Sequence, residues 1–150
     1  VASYALLLRP AANRVYAAGA TPLATAELRA FLDRDPDPQT AAAEIGNREI
    51  AGTPYLTISG PTLSAASVAT LSNLSAAYAL FELTDDELLR PVPLTPLDRY
   101  DEDLLTILKY SGKTNEQFTK LLLNVTALAS SLTRDGLDRP LRVLDPMCGR

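Results

Sequence analysis

Hydrophobic and polar positions follow one another along this chain in two rhythms, short apolar runs and longer stretches with a helical repeat. Residues 3–8 (SYALLL) are a brief apolar run that reads as a buried strand. Residues 10–13 read as a turn, and 14–17 (RVYA) as the returning strand of a hairpin. Thr21 followed by Pro22 marks a helix start, a hydroxyl cap and then a proline at the first helical position, where a backbone N–H is not needed. Leu23, Glu27, Leu28, Phe31 and Leu32 fall on one side of that helix, and the two prolines in residues 33–38 (DRDPDP) end it.

In residues 44–59 the rhythm shortens. Ile45 and Ile50 flank a Gly46-Asn47 turn signal, and Tyr55-Leu56-Thr57-Ile58 predicts a strand. Residues 63–83 predict a helix, because Leu71, Leu74, Tyr78 and Phe81 recur at spacings of three and four. Thr84 and Glu87 make a capping box, each satisfying a free backbone N–H of a following helix. An order close to β-β-α-β-β-α therefore fills residues 1–90. It predicts the α+β class, a small N-terminal domain with a mostly antiparallel sheet and helices.

Residues 90–96 (RPVPLTP) hold three prolines in seven positions and read as a linker, set at 91–100. Asp101 then caps a helix with Leu104, Leu105, Ile107 and Leu108, which Tyr110-Ser111-Gly112-Lys113 breaks. Thr114 and Gln117 make a second capping box. The helix after it places Phe118, Leu121, Leu122, Val125, Leu128 and Leu132 on one face, with Gly136 as its stop. Residues 141–144 (LRVL) read as a strand apolar on both faces, the kind that lies inside a parallel sheet. Residues 101–150 are thus expected to open a second domain with helices and a first strand.

Composition narrows the chemistry. With 47% hydrophobic and 21% charged residues, the 150-residue chain is globular in make-up. It contains no histidine, which removes Ser-His-Asp and Cys-His catalysis and His-ligated metals. One cysteine, Cys148, excludes an internal disulfide and a Cys-rich zinc site. Fourteen basic against eighteen acidic residues provide no cationic surplus of the kind a duplex binder carries. The longest apolar run, residues 76–81, is far short of the roughly 20 residues that span a bilayer. Leu6-Leu7-Leu8 is too short for a secretory signal, so a cytoplasmic location without membrane contact is expected, and the glycosylation patterns at Asn73 and Asn124 read as chance. The chain begins at Val1 and stops just after an apolar strand, the expectation for a piece of a longer protein.

The residues richest in chemistry are Arg142-Val143-Leu144-Asp145-Pro146-Met147-Cys148-Gly149. An apolar strand runs into a carboxylate and then a glycine turn, which lets backbone approach a nucleotide-like cofactor closely. Val-Leu-Asp-Pro-Met-Cys-Gly resembles the first signature motif of S-adenosylmethionine-dependent methyltransferases. The nearest form is the D-P-x-C-G-x-G-T of nucleic-acid amino-methyltransferases, including the tRNA guanine-N2 enzymes. Residues 109–115 (KYSGKTN) and the helix after them resemble the segment that precedes this motif in the same enzymes. The resemblance covers about residues 98–149.

It implies a Rossmann-like catalytic domain, of which 141–144 is the first strand, and S-adenosylmethionine as cofactor. The implied cofactor-binding residues are Asp145, Pro146, Cys148 and Gly149, joined by Lys113, Thr114 and Asn115. Lys109 and Lys113 would meet phosphate or the cofactor carboxylate, and Tyr110 would stack on a base or on adenine. Cys148 is expected as a small packing residue, since nothing accompanies it as a base. The substrate implied is a base amine of RNA, tRNA foremost, or of DNA. The family's Asn/Asp-Pro-Pro-aromatic motif lies later in such chains and no Pro-Pro pair occurs here, so no catalytic residue is assigned and the chain alone is expected to be inactive.

A reading of another class also stands: a non-catalytic nucleic-acid-binding or protein-interaction module formed by residues 1–90. On either reading, the apolar face of residues 118–132 and the lone last strand predict self-association, because uncovered apolar surface and unpaired strands recruit partners.

Overall fold

The computed structural model describes residues 2–11, 14–84, 88–100, 114–131 and 140–146. Strand β1 (Ala2–Leu8) is followed by helix α1 (Arg14–Leu32), the one-turn helix α2 (Pro38–Ala41), and strands β2 (Glu44–Ile50) and β3 (Thr53–Gly60). Helix α3 (Ala65–Leu71), strands β4 (Ala77–Leu83) and β5 (Leu89–Val92), and helix α4 (Glu116–Ala129) complete the described elements. The five strands form one antiparallel sheet in the order β2-β3-β1-β4-β5. With α1 and α3, the first four strands have the split β-α-β connectivity, and β5 is added beyond β4. The chain is α+β with an antiparallel sheet, as the sequence predicts.

One face of the sheet carries the core. In the ladder Tyr4 lies opposite Ile58, and Leu6 lies between Leu56 on one side and Leu80 on the other. These side chains meet Leu28, Phe31 and Leu32 of α1 and Leu71 and Leu74 at the end of α3, all at most 4% exposed. Each such side chain stabilises the fold by about 1.5–3 kcal/mol, which fixes α1 and α3 on this face. Arg29 ties the end of α1 to the next connection: it donates to Asp33 at 2.8 Å, to the Ala43 carbonyl at 2.9 Å and to the Ala41 carbonyl.

Several local expectations change. Residues 14–17 are the first turn of α1 and not a hairpin strand, and Pro22 lies inside that helix instead of starting it. The alanine-rich run favours helix, and the carbonyl that Pro22 leaves without its intrahelical donor is that of Ala18, on the exposed side where it is open to solvent. The β2–β3 turn falls at Ala51-Gly52 and not at Gly46-Asn47. Both turn residues have positive φ, 49° and 78°, the geometry of a two-residue hairpin turn that follows the sheet's twist. Gly46 instead sits in β2 opposite Thr57, where a Cβ would stand 2.8 Å from the Thr57 hydroxyl.

The predicted helix over 63–83 is two elements. Helix α3, capped by Ser64 accepting from the Ser67 N–H, ends at Leu71, and residues 77–83 pair with β1 as β4. A short apolar run satisfies either period, and here two neighbouring strands decide it. The capping box expected at Thr84 and Glu87 falls partly on residues 85–87, which lie outside the described residues; the Thr84 N–H donates to the Leu88 carbonyl at 3.1 Å, and residues 89–92 are strand β5, not the expected helix.

The proline-rich stretch is bound to the sheet and to α3. Residues 89–92 pair with β4, from Leu83↔Leu89 to Leu80↔Val92. Beyond them the Thr95 N–H donates to Ser72 Oγ at 3.0 Å and the Leu97 N–H to Asn73 Oδ1 at 2.9 Å. Proline tolerates this edge position because an edge strand needs only some of its N–H groups.

Candidate functional site

Helix α4 carries the resemblance toward the glycine turn. Its cap is Asn115, whose Oδ1 accepts from the Phe118 N–H at 2.9 Å, one residue later than the predicted Thr114–Gln117 box. The expected cofactor contact Asn115 is thus engaged as a helix cap, and Thr114 beside it is exposed. The helix ends at Ala129 with Ser130 as its C-cap, short of the predicted stop at Gly136, which lies outside the described residues.

The buried face of α4 differs from the predicted one. Leu121, Asn124, Ala127 and Leu128 are buried, whereas Leu122, Leu123 and Val125 are 40–49% exposed. The buried part of this face packs on α1 of the same chain. Tyr16 of α1 meets Phe118 edge-on, with ring centroids 6.2 Å apart.

Residues 141–144 do not form the predicted strand. They have no regular structure, and Val143 and Leu144 are 66% and 87% exposed. A strand exists only by exchanging hydrogen bonds with a neighbour, and none of the five described strands lies against this segment. Leu141 and Val143 instead border a groove of about 490 Å³ along α4, with Thr119, Leu123 and Ala127. Asp145 and Pro146 follow in exposed positions at a turn. Lys109, Tyr110, Lys113, Cys148 and Gly149 lie outside the described residues. Of the residues implied for the cofactor that are described at this end of the chain, Asp145 and Pro146 stand at the surface with none of the described strands beside them.

The best-built polar arrangement lies beneath α4 and escaped the sequence reading. Glu27 of α1 is 1% exposed. Its carboxylate accepts from the Ser75 N–H at 3.0 and 3.2 Å, from the Ser75 hydroxyl at 2.6 Å, and from Asn124 Nδ2 at 2.6 Å. The same Asn124 amide donates to the Asn73 carbonyl at 2.8 Å. Tyr16, three helical turns before Glu27, shares a hydrogen bond with Ser75. Burial raises the Tyr16 phenol above its ordinary value near 10, the Ser75 hydrogen bond offsets part of the rise, and the charge of Glu27 adds to it.

Every oxygen of Glu27 is engaged, and among the described residues no buried side-chain polar atom lacks a partner. The arrangement is a latch that joins α1, the α3–β4 connection and α4. The signal for it was a polar residue inside an apolar stripe. Glu27 lies one turn from Phe31, and Asn124 lies between Leu121 and Leu128. The latch also places Asn73 and Asn124 in the interior, at 8% and 7% exposed, which agrees with reading their glycosylation patterns as chance.

Among the described residues no group of three potential metal ligands occurs, and no helix is long and apolar enough to cross a membrane. No known family model matches this chain, and no curated protein or solved structure matches it.

Proposed function

We propose that this chain is the N-terminal part of an S-adenosylmethionine-dependent methyltransferase acting on a base amine of RNA, tRNA foremost, or of DNA. The observation that carries the reading is the motif Val143-Leu144-Asp145-Pro146-Met147-Cys148-Gly149 placed after a capped helix. Two features of the fold accord with it. Val143 and Leu144 are apolar residues held in water, as the first strand of a Rossmann-like sheet would be without its neighbours. Helix α4, which precedes that strand in the resemblance, is locked onto the α+β part through Asn124 and Glu27.

In this reading the cofactor supplies an electrophilic methyl group. Asp145, Pro146, Cys148 and Gly149 would hold it, with Lys113, Thr114 and Asn115 nearby. Residues 1–90 form the substrate side, and residues 101–150 open the catalytic domain. Asn115 would serve by setting the start of α4, because its side-chain oxygen is already committed to the Phe118 N–H.

The gene read past Arg150 tests the reading first: it should continue with Gly-Thr and later encode an Asn/Asp-Pro-Pro-Tyr/Phe turn. The complete gene product should then transfer label from methyl-labelled S-adenosylmethionine to one of pooled tRNA, rRNA or DNA. Absence of both motifs, or no transfer to any of the three, overturns it.

A further inference from the structure

The two edges of the sheet differ. Strand β5 is four residues long, carries Pro91 and is followed by Pro93, so that edge offers no continuous row of N–H groups. Strand β2, at the other edge, is seven residues long and holds neither proline nor lysine, two residues that keep edges from pairing. The β2–β3 turn fixes which of its groups stay open. A two-residue turn makes Ile50 and Thr53 a doubly hydrogen-bonded pair, and such pairs alternate along an antiparallel ladder. Arg48↔Tyr55, Gly46↔Thr57 and Glu44↔Ser59 are therefore bonded pairs, and Glu49↔Pro54 is not, in keeping with a proline that has no N–H. The N–H and C=O groups of Ile45, Asn47 and Glu49 point away from β3, and among the described residues nothing bonds them.

This open edge is complementary to itself. Antiparallel pairing about a two-fold axis through Asn47 sets Asn47 opposite its own copy and Ile45 opposite Glu49 of the second copy. All three open N–H groups and all three open C=O groups then find partners. The Asn47 amide holds both a donor and an acceptor, so it suits a position facing itself. Arg48, which already has an interaction in its own chain, faces only Gly46 of the second copy, and Glu44 faces Ile50, so no like charges stand opposite. Other registers are poorer. An axis at Ile45 or Gly46 draws in Ala43, whose N–H and C=O are already bonded to Thr40 and Arg29. An axis at Arg48 or Glu49 sets that charge against its own copy. Room for the second strand is present too. A trough of about 870 Å³ lies between α1 and this edge, walled by Thr21, Thr25 and Ala26 of α1 and by Ala43, Ile45 and Asn47. Ile45 packs toward the core, so Asn47 and Glu49, two and four residues on, also rise on the helical side.

We propose that two copies of this chain associate through β2, antiparallel and with the two-fold axis at Asn47. The result is one continuous sheet with five strands from each copy. The helical-side residues of each β2 stand over the trough of the other copy. This association is independent of the methyltransferase reading.

Sedimentation equilibrium of the 150-residue chain, from about 1 to about 300 μM to suit an interface at the small end of the size scale, should show monomer and dimer in exchange. Asn47→Lys sets two ammonium groups at the axis and should weaken dimerisation about tenfold or more. Asn47→Pro removes an N–H that β3 does not use and should do the same. Leu122→Lys, on the exposed side of α4, should leave dimerisation unchanged. The register is read by cross-linking in a Cys148→Ser background. Asn47→Cys should form a disulfide-linked dimer on mild oxidation, because a bonded pair sets its Cα atoms about 5.5 Å apart, within disulfide reach. Glu49→Cys, on the same side but opposite Ile45 of the second copy, should not. Circular dichroism matching the parent shows that each variant has folded, and the cysteine variants, which remove no ladder bond, keep the test open if the proline variant does not fold.

A chain that stays monomeric throughout the range, dimerisation untouched by Asn47→Lys, dimerisation lost in Leu122→Lys, or cross-linking through Glu49→Cys and not through Asn47→Cys each overturns the proposal.

Discussion

Replacing Asn124 by leucine isolates what the latch contributes. The side chain is 7% exposed, and leucine fills a similar space. Two hydrogen bonds disappear, one to the Glu27 carboxylate at 2.6 Å and one to the Asn73 carbonyl at 2.8 Å. A bond to a charged group contributes about 1.5–3 kcal/mol and a neutral one about 0.5–1.5 kcal/mol. Part of the loss is offset by leucine's greater apolar burial, so the expected destabilisation is about 2–4 kcal/mol, a large share of the roughly 5–15 kcal/mol typical of a domain. With a urea slope near 2 kcal/mol per molar, the unfolding midpoint should fall by about 1–2 M with no change in slope. Asn124→Asp should cost more, because it removes the donors and sets a second carboxylate against a buried one. In a double-mutant cycle, Glu27→Leu with Asn124→Leu should cost less than the two single losses together, by about 0.5–3 kcal/mol, since each single variant strands the other partner. A leucine variant within about 0.5 kcal/mol of the parent, or a cycle that adds up, would refute the view that the latch holds α4.

Other outcomes follow from the same geometry. The phenol of Tyr16 titrates above its ordinary value in the folded chain, so the stability linked to it is whole below about pH 10 and drains away as pH rises through the folded value; Tyr16→Phe should flatten that alkaline loss in urea titrations from pH 8 to 11. Ala51 holds φ at 49°, a conformation costly to residues with a Cβ but tolerated by asparagine, and Ala51→Asn should gain roughly 0.5–1 kcal/mol in thermal unfolding. Gly46→Ala should lose roughly 1–3 kcal/mol, because its Cβ would meet the stiff Thr57 side chain at 2.8 Å. Titration calorimetry of the 150-residue chain with S-adenosylmethionine should show weak binding or none, since Asp145 stands exposed with none of the described strands beside it; in the complete protein Asp145→Ala should weaken binding by roughly 1.5–3 kcal/mol.

The class of the fold was legible along the chain because its strongest patterns are local. The apolar run of residues 3–8, the β-branched Tyr55–Ile58 stretch and the leucine stripe ending at Phe31 and Leu32 each became the element they predicted. The stop at residues 33–38 also held, because Pro36 and Pro38 in close succession would each remove a ladder hydrogen bond, whereas the single Pro22 removes one on the exposed side and is tolerated inside α1. What failed was decided by partners distant in the chain. Residues 77–83 carry a helical spacing, yet β1 and β5 flank them, and strand pairing outweighs a period that a run of six apolar residues leaves ambiguous. Residues 141–144 carry a strand's composition, yet composition supplies no neighbour, and without one the N–H and C=O groups have no ladder to join. The prolines at 91–96 looked like a linker because proline discourages sheet interiors, while only the tertiary structure shows an edge where Pro91 lies opposite Phe81.

The polar latch divides the two sources most sharply. That Glu27 and Asn124 interrupt apolar stripes is written in the sequence, and so is the motif from Val143 to Gly149. That Glu27 meets an amide 97 residues away, and a serine 48 residues away, is not. A buried carboxylate must find donors within hydrogen-bond reach, and which donors those are depends on how α1, α4 and the α3–β4 connection pack, a property of the folded chain alone.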